Sequence, residues 1–108
     1  MSKDRLHLRP IDRQCLLSLI NQHLPDIEVW AYGSRVKGRS HEGSDLDLVL
    51  RKQNLTNIEP DRLAAFKEAL QESAIPFLVE AKDWATLPAS FLAEIEKDYE
   101  VLITQTQA

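Results

Sequence analysis

The sequence predicts a small α/β (α+β) sandwich, a mixed β-sheet covered by helices. Three observations predict it. The chain has 108 residues, 44% hydrophobic and 28% charged, which suits one domain over 1–108 with a core that needs no metal or disulfide staple. Apolar residues recur with a helical period in three segments and with a strand-like pattern in four others, the two kinds interleaved along the chain. The only three glycines, Gly33, Gly38 and Gly43, fall within eleven residues and mark one special connection.

Each element has a local reason. Pro10 to Leu24 reads as a helix, with Ile11, Cys15, Leu16, Leu19 and Ile20 on one face, Pro10 in its first turn and Pro25 at its stop. Glu28 to Tyr32 (EVWAY) is rich in strand formers and bounded by Gly33. Gly33 to Ser44 is the glycine-rich connection, and Asp45 to Leu50 (DLDLVL) alternates as a second strand. A polar connection over Gln53 to Glu59 leads to a helix over Pro60 to Ser73, carrying Leu63, Phe66 and Leu70. Ile75 to Ala81 (IPFLVEA) reads as a third strand, whose Pro76 belongs at an edge or a strand start. Pro88 to Asp98 is a third helix with Phe91, Leu92 and Ile95, and Glu100 to Thr104 is a last short strand before a frayed tail.

The chemistry concentrates in the glycine-rich connection and the strand after it. Asp45 and Asp47 stand two apart in a strand, so both carboxylates leave the same face, roughly 7 Å apart at Cα. Leu46, Leu48 and Leu50 take the other face and enter the core. Like charges side by side destabilise a sheet unless a positive group lies between them, and a hard divalent cation meets that need. Taken alone, an Asp-x-Asp pair also fits a solvated strand face, and the glycines alone fit a loop with two turns. Joined, they give GSRVKGRSHEGSDLD: Gly33-Ser34, ten residues, then Asp45-x-Asp47. A phosphate fits the backbone amides and hydroxyl of Ser34, with Arg35, Lys37 and Arg39 adding positive charge. Such a set suits metal-assisted transfer at phosphorus.

GSRVKGRSHEGSDLDLVL resembles the signature of the polymerase-β-type nucleotidyltransferase superfamily. From the first helix to the last strand, the chain resembles the minimal nucleotidyltransferases (MNT domain). The resemblance implies the nucleotidyltransferase fold. It also implies an antitoxin that moves AMP from ATP onto a tyrosine of a HEPN-domain toxin, releasing pyrophosphate and neutralising the toxin in a hetero-oligomer. It implies Mg²⁺ on Asp45, Asp47 and a third carboxylate, with Gly33, Ser34, Arg35, Lys37 and Ser44 around the nucleotide. The family's third carboxylate is usually an aspartate on a later strand. Here the matching position in PFLVEAKDW is Glu80, one methylene longer, and Asp83 is its competitor, better read as a cap or loop residue before Trp84.

Other features narrow the function. Thirteen Lys and Arg against seventeen Asp and Glu give a formal net charge of −4, which argues against direct nucleic-acid binding. The longest apolar stretch, Ala74 to Val79, is far too short to span a membrane, and no secretory leader is visible at the start. A single cysteine, Cys15, fits the reducing cytoplasm and sits on an apolar helix face. His7, His23 and His41 have no ligand spacing and read as surface residues. Trp30 and Tyr32 flank the loop, where one of them could stack on a base, with Trp30 read rather as packed under the helices, while Trp84, Leu87 and Phe91 read as a core cluster or part of a partner-binding face. Two alternatives remain: a catalytically weak module that neutralises its partner by binding it, and nucleotidyl transfer to another protein or a small-molecule acceptor.

Overall fold

A computed structural model describes residues 8–33 and 45–104. Helix α1 (Pro10–His23) is followed by strands β1 (Glu28–Tyr32) and β2 (Leu46–Arg51), helix α2 (Pro60–Glu72), strand β3 (Val79–Asp83), helix α3 (Ala89–Lys97) and strand β4 (Tyr99–Ile103). The strands form one mixed sheet in the order β3-β2-β1-β4. β1 pairs antiparallel with both β2 and β4, whereas β2 and β3 are parallel and joined through α2. None of the described helices is long and apolar enough to cross a membrane.

The period-2 alternation of β1 and β2 gives the sheet two different faces. Val29, Ala31, Leu46, Leu48 and Leu50 are fully buried and meet Leu16, Ile20, Phe66 and Leu70 of α1 and α2. On the opposite face, Trp30 and Val49 pack with Trp84, Ile95, Tyr32, Phe91 and Tyr99. Tyr99 stacks on Trp30 at 4.0 Å between ring centroids, and Trp84 meets Trp30 edge-on at 5.3 Å. The Arg51 guanidinium lies 4.0 Å from the Trp30 ring and 4.4 Å from that of Trp84, and its Nη1 donates to Glu28 Oε1 at 2.9 Å. This cation–π sandwich closes one end of the second face.

Several expectations shift. The inner face of α1 carries Asp12, Leu16 and Ile20, not Ile11 and Cys15; Ile11 is 68% exposed. Asp12 can turn inward because Arg9 makes a double hydrogen bond to it, at 2.8 and 3.1 Å, and a carboxylate in the first turn also suits the helix dipole. The third strand begins at Val79 and ends at Asp83, not over Ile75 to Ala81. Pro76 offers no amide to a ladder, and pairing starts only where Leu46 donates its amide to the Leu78 carbonyl. His23 is half-buried against Phe66, not a surface residue. Cys15 is partly buried, and Trp84 with Leu87 and Phe91 does join a core cluster.

Candidate active site

The strand register assembles the site. In neighbouring strands Tyr99 faces Tyr32, Tyr32 faces Asp47, and Asp47 faces Glu80. Residues paired across strands project from the same side, so these four side chains form one row across all four strands. Asp45 stands two residues before Asp47, exposed at the mouth of β2. Two carboxylates separated by more than thirty residues in sequence are thus strand neighbours.

The turn after β1 is fitted to this row. Gly33 has φ +89°, and a Cβ built on it would lie 2.5 Å from Asp47 Oδ2. Any side chain here would be strained and would push the carboxylate away, so the glycine serves a close approach as well as a turn. The residues that follow, Ser34, Arg35, Lys37, Arg39, His41 and Ser44, lie outside the described residues, as does His7.

Among the described residues the row gathers negative charge around one cation, Lys82. Burial, then the charges of Glu80 and Asp45, hold the Asp47 carboxyl above the usual aspartate range, while Lys82 opposes the rise. Burial first, then Asp47 and Glu80, push the Tyr32 hydroxyl up to about 12. Asp47 and Tyr32 thus both feel the negative charge gathered on this face. Among the described residues no three metal-ligating side chains converge tightly enough to enclose an ion. Asp47 and Glu80, neighbours in register, are oxygen donors of the kind a hard divalent cation takes, and such a cation is commonly held by one or two carboxylates and completed by substrate phosphates.

Asp83 is not part of the row. It is buried, accepts the Ile58 amide at 2.9 Å and the Ala85 amide at 3.1 Å, and so caps the short turn over Trp84–Thr86. That matches its reading as a cap. Lys82 is the residue that sequence reasoning missed. Its Nζ lies 3.2 Å from Glu80 Oε1, and its position two residues after Glu80 in a strand was the available signal.

Residues 16–108 match the family described as polymerase beta, nucleotidyltransferase. The chain belongs to the polymerase beta nucleotidyltransferase family. A relative described as probable protein adenylyltransferase MntA, from Haemophilus influenzae (strain ATCC 51907 / DSM 11121 / KW20 / Rd), is 38% identical over 99 residues, which is 91% of this chain and 84% of the relative. A crystal structure described as a toxin-antitoxin with AMP-PNP superposes with a TM-score of 0.70 at 18% identity, covering 88% of this chain and 74% of that one. The superposition shows that the family's fold is shared.

Proposed function

We propose that the protein is an Mg²⁺-dependent nucleotidyltransferase that moves AMP from ATP to a hydroxyl of a cognate toxin, a tyrosine of a HEPN-domain protein, and so neutralises it. One observation carries the reading: the register that makes Glu80 the neighbour of Asp47, on the face that Gly33 approaches. The relative described as a protein adenylyltransferase supports the reaction, and the fold shared with a toxin-antitoxin structure supports a toxin as partner. Asp45, Asp47 and Glu80 would hold the metal, and Ser34 with Arg35, Lys37 and Ser44 would grip the nucleotide.

The reaction forms a bond from the acceptor oxygen to the α-phosphorus and breaks the bond from that phosphorus to the β-phosphate oxygen. Pyrophosphate leaves with the electron pair, and the hydroxyl proton passes to a base, for which Glu80 is the candidate. Bound Mg²⁺ would offset the charge that builds on the phosphoryl and leaving oxygens. The chain's own contribution is placement: a rigid strand pair carries the carboxylates, and packed aromatic rings support the same face.

The test is transfer of label from α-³²P-ATP to a cognate toxin, by wild type and by Asp47→Asn. The variant should fold and transfer no label. Undiminished transfer by Asp47→Asn would overturn the assignment. Equal protection of cells by Asp47→Asn and wild type would favour neutralisation by complex formation.

A further inference from the structure

Lys82 has no place in the reaction just proposed, yet it projects into the carboxylate row. Alternation along β3 puts Glu80 and Lys82 on one face, and the parallel register sets Lys82 beside Val49, two positions along from the Asp47–Glu80 pair. Its ammonium is paired with Glu80 Oε1 at 3.2 Å, with the Lys82 and Glu80 side chains 36% and 47% exposed. Neither group is locked away by packing, so the pair can open. A structural role explains little of this: exposed ion pairs of this kind contribute little to stability, and the covering helices α1 and α2 pack on the other face.

We propose that Lys82 is a resident counter-cation of the carboxylate site, which occupies Glu80 until a divalent ion takes its place. The inference rests on the metal reading above and adds to it. A compact ammonium on a flexible stem neutralises Glu80 in the metal-free protein and limits the repulsion along the row. An arriving divalent cation must displace this ammonium from Glu80 and is also repelled by it. Lys82 thus weakens metal binding in the absence of nucleotide. A polyphosphate that brings its own negative charge restores the balance, so metal and nucleotide arrive together.

The experiment is a Mn²⁺ titration without nucleotide, with free Mn²⁺ read by electron paramagnetic resonance, on wild type, Lys82→Met, Lys82→Arg and Asp47→Asn. Circular dichroism confirms that each variant is folded. Removing a like charge a few ångströms from a cation site shifts its affinity by about tenfold. Lys82→Met should therefore lower the Mn²⁺ Kd about tenfold, and Lys82→Arg, which keeps the charge, should stay near wild type. An unchanged or raised Kd in Lys82→Met would overturn the proposal, since a lysine that only props Glu80 in place would give the raised value. In that case loss of Mn²⁺ binding in Asp47→Asn would leave the metal site itself standing. If Asp47→Asn binds Mn²⁺ as wild type does, the metal reading fails and the Lys82 proposal fails with it.

Discussion

Replacing Gly33 by alanine tests how tightly the fold and the chemistry are joined. The backbone there has φ +89°, and the new methyl would start 2.5 Å from Asp47 Oδ2, where 3.4 Å is an ordinary contact. Holding an L-residue at this φ costs about 1–2 kcal/mol. In a chain of this size that lowers the Tm by about 4–12 °C. The carboxylate must also retreat by about 1 Å, and a misplacement of that size costs roughly 100-fold in rate. Gly33→Ala should thus remain folded at room temperature and lose about two orders of magnitude in label transfer from α-³²P-ATP. Gly33→Asn separates the two effects, because asparagine tolerates positive φ but still carries a Cβ. It should recover part of the Tm and little of the rate. The double variant Gly33→Ala/Asp47→Ala should be more stable than the sum of the single changes implies, because the clash is gone. Wild-type rate and Tm in Gly33→Ala would refute the close-approach argument, and strict additivity in the double variant would refute the contact with Asp47.

Three further outcomes follow from the same geometry. Asp47 is held above its usual range, so the folded state binds its proton more tightly than the unfolded state does, and the stability gained by protonation is lost as pH rises through the folded value. Asp47→Asn should therefore raise the Tm at pH 7, and denaturation at a series of pH values should show that advantage shrinking towards the ordinary aspartate value of 3.8. Asp83→Ala leaves the buried Ile58 amide and the part-buried Ala85 amide without their acceptor and should cost about 1–3 kcal/mol by urea titration, while the milder Asp83→Asn should keep label transfer. Arg51→Lys keeps the charge but not the flat guanidinium stacked against Trp30 and Trp84, and should cost about 1–2 kcal/mol with a change in tryptophan fluorescence.

Much of this architecture is legible from local pattern, and the exceptions share one cause. Asp47 could be placed because strand alternation is a property of neighbouring residues, and Leu46, Leu48 and Leu50 are fully buried as expected, whereas Asp45, read as the first strand residue, stands just before β2 begins at Leu46. Which residue of β3 would face Asp47 is set by a parallel pairing closed through α2, and no local pattern encodes that register. Glu80 was reached through family resemblance, while Lys82, two residues further on, lay outside the motif. Ile11 misled because hydrophobicity alone ignores the Arg9–Asp12 pair that lets a carboxylate take the inner face. The run IPFLV looks like a strand, but its proline delays the ladder to Val79.

Strand β2 carries the candidate carboxylate Asp47 on one side and its adhesive leucines on the other. Sliding it past β1 by a single residue would turn Leu46, Leu48 and Leu50 out to water and drive Asp47 into the oily layer under α1 and α2. A molecule that closed in that wrong alignment would be both inactive and unstable. Quality control that removes poorly folded chains would then remove the incompetent catalysts as well, with no separate inspection of the site.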